Sequence, residues 1–118
     1  MKLGQMNPIF QLQLALQKGN ELQDILTNNF QVGRTGNDIL RRTRHQALER
    51  GIGPIIYTHP IGLHGHAAGT TIGMWDNQEG VPGSGDYAMQ PNTAYSIELT
   101  ALVDIPEWSR EPMRMKLE

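Results

Sequence analysis

Ala94-Tyr95-Ser96-Ile97-Glu98-Leu99-Thr100-Ala101-Leu102-Val103 alternates more cleanly than any other part of the chain. Tyr95, Ile97, Leu99, Ala101 and Val103 stand against Ser96, Glu98, Thr100 and Leu102, and a period of two is that of a strand with one greasy face. Near the carboxy terminus, Met113, Met115 and Leu117 alternate with Arg114, Lys116 and Glu118 in the same way. Between the two runs, Asp104 to Arg110 turns the chain around Pro106. Upstream, Pro54 to Thr58 is a short β-type run, and Trp75 to Asp86 is a loop rich in Gly, Pro and Asp. The sheet is therefore expected over about 54–118.

The amino-terminal part has a different period. From about Asn7 to Asn29 the apolar residues Ile9, Leu12, Leu16, Leu22, Ile25 and Leu26 recur among Gln and Asn. That pattern predicts a helix with one buried stripe. Asn7 suits the cap and Pro8 the first helical position, where no intrahelical N–H bond is needed. Gly19 weakens the middle by ~1 kcal/mol and suggests a bend. A second helix is expected over about 36–50, starting after Thr35 with Asp38 near its positive end and stopping at Gly51. Its arginines, Arg41, Arg42, Arg44 and Arg50, read as a solvated face, since Asp38 and Glu49 lie among them. Two helices on a curved antiparallel sheet make an α+β fold.

The chain has 118 residues, room for one domain. With 10 basic against 12 acidic residues it lacks the positive excess that nucleic-acid binding needs. No apolar run approaches the ~20 residues of a membrane span, and no signal peptide opens the chain, which leaves the cytoplasm as the default compartment. Cysteine is absent, which excludes thiolate chemistry and disulfides.

Chemistry concentrates in His59-Pro60-Ile61-Gly62-Leu63-His64-Gly65-His66-Ala67-Ala68-Gly69. Neutral imidazole is an acid–base group near neutral pH and a common metal ligand. In an extended segment His64 and His66 point to one face. The string also suits a Gly-rich turn whose histidines merely bond backbone, although three histidines so close together favour function. Glu98 and Glu118 both leave the face that the helices cover. Sharing a sheet would let them meet His66 on its polar side, and carboxylate with imidazole suits Mn²⁺, Co²⁺, Fe²⁺ or Zn²⁺. Trp75 and Tyr87 read first as ordinary loop packing and second as the border of a substrate pocket.

The order Gly65-His66-x-x-Gly69, a Pro-Gly loop, Tyr95-Ser96-Ile97-Glu98 and Met115-Lys116-Leu117-Glu118 resembles the carboxy-terminal half of the M24 metallopeptidases. That family includes aminopeptidase P, prolidase, methionine aminopeptidase and the non-metal creatinase, all with the pita-bread fold. Gly33-x-Thr35-Gly36-Asn37-Asp38-Ile39 also looks like the family's turn into its second helix. The resemblance implies a partial pita-bread fold and hydrolysis of peptide substrates at Xaa-Pro or related amino-terminal positions, with two divalent ions. It implies His66 as a metal ligand, Glu98 as a terminal ligand and Glu118 as a bridging one. It implies His59 as the histidine that binds substrate, with His64 a rival for either histidine role.

The departures from that pattern are specific. His59 and His66 are seven residues apart where the family has four. The histidine usual seven residues beyond the ligand falls at Gly73, and Leu99 replaces the proline after the glutamate. No aspartate precedes the first helix, so at most three of about five ligands are supplied. The expectation is a fragment of a larger catalytic domain that binds metal poorly alone and self-associates through unpaired sheet edges. Alternatives from other classes are a creatinase-like C–N hydrolase without metal, and a binding domain that kept the fold and lost the site.

Overall fold

The computed structural model describes residues 8–62, 65–103 and 113–118. Asn7, His64 and the turn around Pro106 lie outside the described residues. Among the described residues two helices, α1 (Pro8–Asn28) and α2 (Gly36–Glu49), precede six strands. These are β1 (Gly53–Ile56), β2 (His59–Gly62), β3 (Gly65–His66), β4 (Tyr95–Ser96), β5 (Leu99–Val103) and β6 (Met113–Leu117). All the pairings are antiparallel, in the orders β1-β5-β6 and β3-β2-β4, so the fold is α+β.

One register joins the two sheets. β1 pairs with β5 so that Gly53 faces Leu102, and β2 pairs with β4 so that Pro60 faces Tyr95. The offset is the same in both, which makes a single long hairpin with an interruption at residues 57–58 and 97–98. The interruption has a chemical cause. The Thr58 hydroxyl donates to the Glu98 carbonyl at 3.1 Å and accepts from the Glu98 N–H at 3.2 Å. A side-chain oxygen thus replaces ladder bonds, and the run expected over 94–103 divides into β4 and β5.

The greasy face of that run meets the helices. Leu99, Ala101 and Val103 are buried in the core with Leu22, Ile25, Leu26, Ile39 and Leu40, while Tyr95 and Ile97 pack against it. Each fully buried Leu or Ile contributes about 1.5–3 kcal/mol. The two helices are tied by Asn29, whose Nδ2 donates to Thr43 Oγ1 and Gln46 Oε1.

Two expectations need correction, those for the first half of α1 and for Arg44. Ile9, Leu12 and Leu16 are not core: they are 66%, 45% and 45% exposed. The first half of α1 presents Ala15 inward, and the buried stripe begins in earnest at Leu22. Gly19 does not end or divide the helix. It lets α1 lie close on β6, since a Cβ there would come to 3.0 Å from Leu117 Cδ1 and 3.1 Å from Met115 Cγ. Arg44 is not on a solvated face; it is half-buried and donates to the Pro54 carbonyl at 2.9 Å and to Gln78 Oε1 at 3.1 Å.

The other three arginines pair with acids, Arg41 and Arg42 with Asp38 and Arg50 with Glu21. The start of α2 carries a pH-dependent contribution. Thr35 Oγ1 accepts from the Asp38 N–H at 3.0 Å. The hydrogen bond from Arg42, against a smaller opposing effect of burial and aided by nearby guanidinium charges, holds the Asp38 carboxyl below its ordinary value. A depressed carboxyl stabilises the fold above its unfolded pKa, and that contribution is lost as pH falls through the folded value. Asp38→Asn is expected to cost about 0.5–1 kcal/mol at pH 7, and the deficit should vanish in acid urea titrations.

Candidate functional site

The face of the sheet away from the helices is where the polar chemistry collects. By register Tyr57 lies opposite Glu98, and its N–H donates to the Glu98 carbonyl at 3.1 Å. Thr100 lies opposite Lys116, and Leu99 opposite Leu117. One step farther along the same register sets Glu98 across from Glu118. Tyr57, Glu98, Thr100, Lys116 and Glu118 therefore share the helix-free face, because neighbours across a ladder point the same way.

At its centre is a buried histidine–carboxyl contact. His59 Nε2 is 2.6 Å from Glu98 Oε2, with the two side chains only 10% and 12% exposed. The other ring nitrogen, Nδ1, is 3.0 Å from the Pro60 carbonyl. A carbonyl can only accept, so Nδ1 carries a proton, and one further proton lies between Nε2 and the carboxylate. The pair is either imidazolium with carboxylate or neutral imidazole with carboxylic acid. The ring is also fixed in orientation by its backbone bond, which keeps Nε2 against the Glu98 carboxylate.

An aromatic wall flanks the pair. The Tyr57 and His59 rings lie 5.5 Å apart, and Trp75 meets Tyr57 edge-on at 5.9 Å and 82°. Lys116 Nζ stands 5.3 Å from the Trp75 ring centre and 3.6 Å from Glu118 Oε2. Trp75 thus stands behind Tyr57, one ring removed from His59. Tyr87 lines a separate open hollow of about 340 Å³ with Ala68, Gly69, Ala88 and Gln90.

Gln78 holds the wall in place. Its Oε1 accepts from the Ile56 N–H at 2.9 Å, and its Nε2 donates to the Ile56 carbonyl at 2.8 Å and to the Met74 carbonyl. The side chain acts as a strand partner for the outer edge of β1. With Arg44 on the Pro54 carbonyl and Thr58 bonded to Ile72 in both directions, that edge is closed at Pro54, Ile56 and Thr58. Gln78→Leu would leave both Ile56 groups without partners. It is expected to cost about 2 kcal/mol in urea unfolding and to weaken the near-ultraviolet dichroism of Trp75.

The residues singled out by sequence fall apart into two groups. His59 and Glu98 are brought together. Glu118 lies on the same face but is 62% exposed and turned to Lys116. The backbone of His66 is in β3, opposite Ile61 in β2; its ring, like the whole of His64, lies outside the described residues. Among the described residues no group of three or more His, Cys, Asp or Glu is placed to hold a metal ion. Tyr57, Lys116 and Gln78 were not evident from sequence, although two of them had a signal. Tyr57 is two residues before His59 and Lys116 two before Glu118, the spacing that shares a strand face.

Gly73, where the family resemblance leads one to look for a histidine, has no room for a side chain. Its φ is +73°, and a Cβ would lie 2.2 Å from the Ile56 carbonyl oxygen. No described helix is long and apolar enough to cross a membrane. Comparison of the chain with protein-family models, with curated proteins and with solved structures yields no match to any of them.

Proposed function

We propose that this chain forms part of the catalytic centre of an amide-bond hydrolase. It resembles the pita-bread metallopeptidases and would act on peptides at Xaa-Pro or related amino-terminal bonds. The observation that carries this reading is the buried His59–Glu98 contact of 2.6 Å on the helix-free face. With Nδ1 and Nε2 both engaged, the ring holds the carboxylate and can share a proton with it, and Oε1 of Glu98 is the atom suited to pass that proton to or from a group arriving beside it. General acid–base work of that kind contributes about 10²–10⁴-fold in rate. The aromatic wall of Tyr57 and Trp75 supplies an apolar border that orients substrate and excludes water.

The two ions implied by the resemblance are a separate matter. Nε2 of His59 and Oε2 of Glu98 bond each other directly. Two donors on one ion would stand roughly 3 Å or more apart, given metal–ligand distances of about 2.1 Å. The described residues do not fit a metal centre by themselves, and the acid–base role of the pair does not depend on one. The same contact favours a second reading, creatinase-like cleavage of a C–N bond led by the imidazole.

The test is turnover by the intact protein, with Mn²⁺ and after chelation, on Xaa-Pro peptides and on creatine. Peptide hydrolysis that falls about 100-fold or more in His59→Asn is the expected result. Creatine turnover that survives chelation would select the second reading. No turnover of either substrate with any metal would refute both and leave a binding domain.

A further inference from the structure

We infer that the Trp75 face and the Glu118 carboxylate form a binding corner for an alkylammonium group, which Lys116 fills as a tethered stand-in. An ammonium is already seen there, 5.3 Å from the ring centre and 3.6 Å from Glu118 Oε2. A π face and a carboxylate, both within reach of one ammonium, are the contacts by which proteins recognise such a cation. The corner is rigid on the aromatic side. Met74 and Asn77 exchange backbone bonds of 3.3 and 2.9 Å around Trp75, Gln78 pins that turn to β1, and the Tyr57 ring packs perpendicular to the indole. It is yielding on the other side, because the Lys116 side chain is 57% exposed and regains water when displaced. A surface contact of this kind holds weakly, so an incoming cation can replace it. The occupant fits a peptide amino terminus or a quaternary amine equally. The inference goes beyond the proposed hydrolysis and does not rest on it.

Tetramethylammonium chloride is the probe, titrated against sodium chloride at constant ionic strength and followed by tryptophan fluorescence. In Lys116→Met a saturable change is expected, with a dissociation constant about two- to fivefold lower than in the parent chain. Adding Trp75→Leu should abolish it, and adding Glu118→Gln should weaken it. A Lys116→Met protein that responds no differently to the two salts would overturn the inference. So would a response that persists without Trp75. Should Trp75→Leu fail to fold, the methyl proton resonance of the probe decides in Lys116→Met alone: an upfield ring-current shift supports the corner and an unmoved resonance refutes it. A parallel titration with glycinamide and N-acetylglycinamide separates the sources, since a peptide amino terminus as ligand requires competition by the first only.

Discussion

Glu98→Ala is expected to destabilise the chain by about 1–3 kcal/mol, the largest effect of any single side chain on the helix-free face. The reason is asymmetric. A buried pair contributes little net stability, but removing one member takes from the other its bond at Nε2, at a cost of about 1–3 kcal/mol for a buried polar group. The His59 side chain is 10% exposed and its Nδ1 is committed to the Pro60 carbonyl, so it cannot turn outward to find water. Adding His59→Ala should therefore restore part of the loss, and the two single costs should exceed the cost of the double variant by at least ~1 kcal/mol. Urea unfolding of the four proteins measures this. Strictly additive costs would mean that the two side chains do not interact.

Gly73→Ala is expected to cost about 3 kcal/mol or more, lowering the melting temperature by roughly 10–20 °C. Two penalties combine at this position. The backbone has φ +73°, where any β-carbon is strained, and the added atom would sit 2.2 Å from the Ile56 carbonyl oxygen and 3.1 Å from Leu40 Cδ1. Gly83 separates the two. It has φ +81° but nothing within 4 Å of an added Cβ, so Gly83→Ala should show the conformational cost alone, about 1 kcal/mol. Equal losses at the two sites would contradict the close approach of the Gly73 segment to β1. That approach matters for the site, because residues 73–78 carry Trp75 to its place beside Tyr57.

Much of this was legible in the alternation of residues 94–103. It assigned Tyr95, Ile97, Leu99, Ala101 and Val103 to the core side and Glu98 to the other, as the structure has them. Periodicity reports which residues form a stripe, however, and not how far the partner surface extends. Hence Ile9, Leu12 and Leu16 continue the stripe of α1 yet stay exposed, while Leu22, Ile25 and Leu26 are buried. The His59–Glu98 contact depends on the register between residues 53–61 and 94–102. Long-range pairing of that kind has no local signature. The break in the long strand was hidden for another reason. It is made by the Thr58 hydroxyl forty residues upstream, and nothing within 94–103 announces it. Arg44 shows the complementary limit. Its charge looks like its neighbours', and only the fold decides that it closes the edge of β1 while they remain with Asp38 and Glu21.

Proton NMR correlated through the histidine ring nitrogens reads the His59–Glu98 bond itself. A contact of 2.6 Å with Nδ1 committed to a carbonyl predicts a strongly downfield, slowly exchanging proton between the two side chains, lost in Glu98→Ala. A His59 ring with a single, rapidly exchanging proton and the same spectrum in Glu98→Ala would contradict the pair, and with it the acid–base role proposed for this face.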